Sequence, residues 1–184
     1  MAERGLPKAK AGVRFSSPAP LISKRYLFMK NTAYINSAIG IFEIVEEDGF
    51  IVKLDYYGKG RMPKWKSESS VLSEALSQLE EYFKGERRIF DLPLKLSGTD
   101  FQKKCWDALL EIPYGEVCSY QDIAKKVGNI KAVRAVGGAN HNNPAAIVVP
   151  CHRVIGKDGS LTGYGGGLHV KEFLLNLERQ SLKG

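Results

Sequence analysis

The sequence predicts a mixed α/β (α+β) chain in two parts: a small sheet-plus-helix domain, then a mainly helical domain carrying a helix-turn-helix of winged-helix kind. Three observations predict it. Two β-rich runs within residues 33–57 flank Glu47-Asp48-Gly49, and an Asp-Gly pair supplies the left-handed backbone that a tight hairpin turn needs. From Val71 onward, apolar residues recur at helical rather than alternating spacing. Residues 119–127 and 131–140 are both helix-compatible and only a short turn around Gly128-Asn129 separates them, which is helix-turn-helix spacing.

Taken in order, residues 1–24 contain Pro7, Pro18 and Pro20 among scattered Lys and Arg without periodicity, and are expected to form a disordered basic arm. An N-terminal α/β domain is expected over residues 25–92. Its helix, residues 71–83, places Leu72, Ala75, Leu76, Leu79 and Phe83 on one face, with Gly85 as the stop. Residues 93–98, opening with Pro93, read as a linker. The second domain, residues 99–184, opens on the capping box Thr99-Asp100-Phe101-Gln102. The helix that follows should bury Phe101, Cys105, Trp106 and Leu109 before Pro113 ends it. Ser119-x-x-Asp122 caps the first helix of the helix-turn-helix, which should bury Ile123, Ala124 and Val127. Val170, Phe173, Leu174 and Leu177 recur at i, i+3, i+4 and i+7, so a final helix should pack on the core with Glu178 just beyond its stripe.

At 184 residues and 43% hydrophobic content, the chain can bury one large or two small cores. It has no apolar run of membrane-spanning length, and Met1-Ala2-Glu3-Arg4-Gly5 leads into polar sequence rather than a secretory signal. Three cysteines suit a reducing cytoplasm better than a disulfide framework. The net charge of +7 suits a polyanionic partner. Much of that excess comes from Arg4, Lys8, Lys10, Arg14, Lys24, Arg25 and Lys30 against Glu3, which a basic solvated tail would explain as well.

The chemistry concentrates in Pro150-Cys151-His152-Arg153-Val154, which follows the apolar run Ala145-Ala146-Ile147-Val148-Val149. A cysteine is nucleophilic as thiolate, and a neighbouring base or positive charge lowers its pKa from about 8.5 toward neutrality. His152 is therefore a candidate base for Cys151. Adjacent residues on an extended strand point to opposite faces, so the pair needs a turn or a bridging water to cooperate. A buried thiol beside a solvated histidine fits the residues too. The second helix of the pair carries Arg134 among Ala132, Ala135, Gly137, Gly138 and Ala139. So small a surface approaches DNA closely while reading few base edges, with Arg134 as a wedge into the base stack. A plain close-packed helix pair remains open at this point.

With these motifs in view, residues 99–178 resemble the methylated-DNA–protein-cysteine methyltransferases, or O6-alkylguanine-DNA alkyltransferases. Gly115-Glu116-Val117, Ser119-Tyr120, Arg134-Ala135-Val136-Gly137-Gly138-Ala139, Asn143-Pro144, Pro150-Cys151-His152-Arg153-Val154 and Gly163-Tyr164-Gly165-Gly166-Gly167 occur in that order. The resemblance implies single-turnover transfer of an alkyl group from guanine O6 in double-stranded DNA to Cys151, and leaves O4-alkylthymine open as a second substrate. His152 would be the base acting through a water, Glu178 the carboxylate orienting it, and Asn143 the brace between recognition helix and active-site strand. Tyr120 would help rotate the nucleotide out through the minor groove and hydrogen-bond the guanine ring, with Arg134 filling the gap. Ala132, Ala135 and Gly137 would face DNA. Backbone groups of Cys151, Val154 and Gly165 would read the guanine edge, and Tyr164 would form the pocket's outer loop.

Some relatives bind zinc in the N-terminal domain, but Cys105, Cys118, Cys151, His141, His152 and His169 all lie in the C-terminal half. No metal and no cofactor are expected, and the chain is expected to act as a monomer. Two other readings use the same residues: a lesion-binding protein without transfer, and a Cys-His hydrolase or acyl-transfer enzyme indifferent to DNA.

Overall fold

A computed structural model describes residues 30–183. The expected basic arm lies outside the described residues. Three antiparallel strands come first: β1 (Lys30–Ser37), β2 (Gly40–Glu47) and β3 (Phe50–Gly58), in the order β1-β2-β3. The β2–β3 turn is the expected one, with Asp48 at φ 54° and Gly49 at φ 84°. The two expected β-rich runs are three strands, because a second tight turn at Ala38-Ile39 divides the first run. Neither residue there carries turn chemistry.

Helix α1 (Ser70–Phe83) lies against this sheet and is capped by the Ser69 hydroxyl. Leu72, Ala75 and Leu79 meet Phe42, Ile44, Ile51 and Leu54 in one contiguous apolar core. The buried face is rotated from the expected stripe: Tyr82 is fully buried, while Leu76 and Phe83 are only partly so. The core continues into α2 (Asp100–Leu110) through Cys105, Trp106 and Leu109. Both halves of the α2 capping box are made, as Thr99 accepts from the Gln102 amide and Gln102 accepts from the Thr99 amide.

The helix-turn-helix consists of α3 (Tyr120–Lys126) and α4 (Val133–His141). Ser119 and Asp122 form the second capping box. Helix α4 starts two residues later than the spacing predicts, with Ala132 at the cap, since Ala132 N–H still closes a turn onto Asn129. Trp106 Nε1 donates to the Ala139 carbonyl at 2.9 Å and locks α2 to α4. A parallel pair of two-residue strands, β4 (Cys118–Ser119) and β5 (Val154–Ile155), joins the start of α3 to the segment after Cys151. Helix α5 (Leu168–Ser181) closes the fold.

β3 ties the two halves together along its outer edge. Ile51 N–H donates to Pro93 O at 2.7 Å and Lys95 N–H to Ile51 O at 3.1 Å. Leu54 N–H donates to Pro144 O at 2.8 Å and Ala146 N–H to Leu54 O at 2.7 Å. An edge strand that would present unpaired amides is thereby covered by residues leading into α2 and into the cysteine turn. Among the described residues, no helix is long and apolar enough to cross a membrane. Replacing the cap, Thr99→Ala, should lower stability by about 1 kcal/mol, read as a lower urea midpoint at an unchanged m-value; a midpoint equal to the parent would contradict the role given to the box.

Candidate active site

The apolar run before Cys151 is a buried tight turn, so Asn143 braces a turn where the resemblance implied an active-site strand. Ala146 bridges Val149, Val149 N–H donates to Ala145 O, and Ile147 takes φ 73°. A β-branched residue in that region is strained by about 1–3 kcal/mol. Burial of Ile147 and its neighbours overrides that cost. The turn delivers Cys151, His152 and Arg153 into a short 3₁₀ turn, so consecutive side chains fan out instead of alternating.

Asn143 braces this corner from before the turn. Its Nδ2 donates to Val149 O at 2.8 Å and to Cys151 Sγ at 3.1 Å, while its Oδ1 accepts from Ala145 N–H. Cys151 itself is buried at 7% exposure. Burial pushes its thiol pKa up, against the smaller opposing effects of the Asn143 hydrogen bond and Lys171. That reverses the expectation that the adjacent His152 and Arg153 lower it. Both neighbours are turned toward a different group, so the resting side chain is a thiol that needs a base.

That group is Glu178, fully buried on α5. Its Oε1 accepts from His152 Nε2 at 2.8 Å, from the second guanidinium arm of Arg153 at 2.9 Å and from the Tyr82 hydroxyl at 2.8 Å. Its Oε2 accepts from Arg153 Nε at 2.9 Å and from Gly115 N–H at 2.9 Å. Arg153 makes a bidentate pair and gives its remaining arm to Ile112 O at 2.7 Å, the geometry in which a buried guanidinium is best satisfied. Gly115 is required where it stands: φ is +79°, and a Cβ there would run into Leu182. Despite burial, the hydrogen bonds and charges of His152 and Arg153 hold the Glu178 carboxyl well below the usual carboxylate range.

A carboxylate only accepts, so the neutral His152 carries its proton on Nε2. Nδ1 is left as a buried acceptor without a partner in the protein. Burial lowers the His152 pKa, and the Glu178 hydrogen bond opposes that only in part. Glu178 therefore faces the centre of the helix stripe rather than lying beyond it, because the buried face of α5 runs Val170, Lys171, Leu174, Leu175 and Glu178.

Lys171, on the same face, is also fully buried. Its Nζ donates to Val154 O at 2.6 Å and Thr162 O at 2.7 Å, and burial pushes its pKa down to about 8. Tyr120, half-buried at the start of α3, donates to the same Thr162 O at 3.1 Å. Tyr164 is half-buried on the loop beyond, its hydroxyl buried without a partner in the protein, and its phenol pKa is pushed well up by burial and then by the Cys151 charge. Val154 is buried and Gly165 exposed.

The sequence-predicted residues thus fall into two sets. Cys151, His152, Glu178, Asn143, Val154, Tyr164 and Tyr120 converge around one corner. Arg134 and Ala135 are exposed on α4, Ala132 caps it and Gly137 is half-buried. A Cβ on Gly137 or Gly138 would meet nothing within 4 Å. Sequence reasoning gave no role to Tyr82, Gly115 or Lys171, and gave Arg153 only that of a positive charge beside the thiol. For Lys171 a signal existed, since Lys171, Leu174, Leu175 and Glu178 keep helical spacing as regular as the stripe chosen. Among the described residues, no group of three or more His, Cys, Asp and Glu is placed to hold a metal ion.

A buried cysteine with a histidine–glutamate pair behind it, fixed beside a helix-turn-helix, is the class that fold and site define. Residues 31–96 match the family model of the 6-O-methylguanine DNA methyltransferase ribonuclease-like domain, and residues 100–180 that of its DNA-binding domain. The methylated-DNA–protein-cysteine methyltransferase of Methanosarcina barkeri is 49% identical over 81% of this chain and 97% of its own length. The constitutive enzyme of that name from Bacillus subtilis is 51% identical over 79% and 93%. The crystal structure of Mycobacterium tuberculosis O6-methylguanine methyltransferase superposes with a TM-score of 0.74 at 46% identity, over 83% of this chain and 94% of that one. A second structure of the Mycobacterium tuberculosis protein, in complex with DNA, gives 0.73 at 47% identity over 80% and 92%. The chain belongs to the methylated-DNA–protein-cysteine methyltransferase family.

Stability should carry the signature of a histidine buried neutral. Below about pH 6.5 the unfolded chain takes up a proton that folded His152 refuses. Unfolding free energy should therefore fall as pH drops from 6.5 toward 5, by at most about 1.4 kcal/mol per pH unit. Glu178 adds its own loss only at more acid pH, since its folded carboxyl stays ionised well below the usual range. Urea unfolding of the parent and of His152→Gln across pH 5–8 checks this: the variant should have the shallower slope, and equal slopes would contradict a neutral buried imidazole.

Proposed function

We propose that this protein repairs DNA by moving the alkyl group of O6-alkylguanine onto Cys151, once per molecule. The observation that carries the reading is the Cys151–Asn143 and His152–Glu178 pair of contacts, set in a chain whose family is named for that transfer. His152 Nδ1 takes the thiol proton through a water, and Glu178 stabilises the imidazolium that results. The thiolate then attacks the alkyl carbon, the carbon–O6 bond breaks, and its electron pair leaves with guanine. Tyr120 donates to the departing base, which lowers the cost of the charge it carries away. The product is a thioether with no route back, so the acceptor is consumed.

DNA docks through the helix-turn-helix. Gly137, Gly138 and the alanines of α4 allow close approach to the minor groove, and phosphate contacts supply the affinity whatever the sequence. Arg134, exposed on α4, enters the stack in place of the flipped nucleotide and offsets the few kcal/mol that flipping costs. Backbone groups of Cys151, Val154 and Gly165 read the guanine edge, with Tyr164 over the pocket. The relative solved in complex with DNA supports DNA as the partner, and the need to flip a base out of a stack favours the duplex. Free thiols at Cys105, Cys118 and Cys151 support a reducing cytoplasmic setting.

The test compares two substrates, a duplex holding O6-methylguanine and free O6-benzylguanine. Cys151→Ser should accept nothing from either. Arg134→Ala should react with the duplex at least about tenfold more slowly, the equivalent of 1.4 kcal/mol of lost flipping support, while keeping the parent rate on the free base. Equal losses on both substrates would remove Arg134 from the stack, and a fully active Cys151→Ser would overturn the reading.

A further inference from the structure

The N-terminal domain reaches into the catalytic corner through one side chain that the transfer reaction as described above does not use. Tyr82, on α1, is fully buried and donates its hydroxyl to Glu178 Oε1 at 2.8 Å across 96 positions of sequence. The same oxygen accepts from His152 at 2.8 Å and from Arg153 at 2.9 Å. The Tyr82 ring is held edge-on between Phe83 and Tyr114, with centroids 5.7 and 6.1 Å away, and the Arg153 guanidinium lies over Tyr114 at 5.6 Å. Its place is thus fixed independently of the hydrogen bond.

Resting on the functional reading above, we propose that Tyr82 is a positioning residue for alkyl transfer: its hydroxyl sets the orientation of Glu178 and, by sharing Oε1, the basicity of His152. Every donor on a carboxylate oxygen withdraws part of the negative charge that would otherwise stabilise an imidazolium. The charged and titratable groups around the pair are Glu178 and Lys171 from α5, Arg153 from the 3₁₀ turn, Tyr82 from α1 and Tyr114 from the segment after α2. Burial and the Glu178 charge push the Tyr82 phenol far above its ordinary range, so across the working pH it only donates. Removing the hydroxyl leaves a more basic carboxylate, a more easily protonated His152, and a transfer rate that fails at higher pH on the acid side. The N-terminal domain then tunes the base as well as supporting the fold.

The experiment uses the full chain with Tyr82→Phe and, separately, with 3-fluorotyrosine at position 82, whose more acidic phenol is the stronger donor. The rate of Cys151 benzylation by free O6-benzylguanine is followed against pH, alongside the 15N titration of His152. Tyr82→Phe should move the acid limb up by about one pH unit, the scale of one charge-assisted hydrogen bond, and 3-fluorotyrosine should move it down. A structural role alone changes rate or melting temperature and leaves the limb in place; an unmoved limb in both proteins overturns the proposal. If Tyr82→Phe fails to fold, the direction of the fluorotyrosine shift decides alone. If the parent never alkylates Cys151, the functional reading fails, and the His152 titration still decides the role of Tyr82.

Discussion

A carboxylate shut away from water has to find its hydrogen bonds inside the protein, and Glu178 finds five: Tyr82, His152, two from Arg153 and the Gly115 amide. Those donors come from α1, from the turn after α2 and from the 3₁₀ turn of the cysteine, so three separate stretches of chain are fixed against α5 by one side chain. Removing one partner from such a buried ion pair typically costs about 3–5 kcal/mol, because the other charge is left unpaired. The arrangement makes catalysis and folding share a centre. The guanidinium neutralises Glu178 enough for it to stay ionised in the core, and the imidazole gets a partner for the proton it will gain.

The reactive thiol depends on the same economy in a less direct way. Adjacent charges would have made Cys151 a thiolate at rest, yet Arg153 is committed to Glu178 and His152 presents its far nitrogen to it. What remains near Sγ is an amide from Asn143 and the buried Lys171 ammonium. A thiol that stays protonated until a substrate and a proton path are in place resists stray oxidation better than an exposed thiolate. Position is bought with strain at Ile147 and held by β3, whose Leu54 clasps both Pro144 and Ala146. In this way the small sheet sets the geometry of a turn that begins about 90 residues further along the chain.

Local chemistry was readable without the fold. The Thr99–Gln102 and Ser119–Asp122 boxes and the Asp48-Gly49 turn each depend on residues within a few positions of one another, and each is present. The turn at Ala38-Ile39 was not readable, since its residues suit a strand. The shape of the run 145–149 was not readable for a related reason: its composition suits a strand, and burial and pairing with Leu54 impose a turn. The sequence reading gave neither Tyr82 nor Lys171 a part, although the helical spacing of α5 could have marked Lys171 as buried. Their meaning lies in partners 96 positions away and in carbonyls of a loop, which no periodicity encodes. Glu178 was found through the family motifs, and the helix stripe taken alone had placed it at the edge.

In this reading Cys151 is a once-only acceptor. The most direct measurement is the intact and peptide mass of the protein after incubation with excess duplex containing a single O6-methylguanine. One added methyl group is expected, on the peptide that contains Cys151, with no further uptake over time; protein that binds the duplex and stays unmodified, or that releases more than one equivalent of repaired guanine, would overturn that reading.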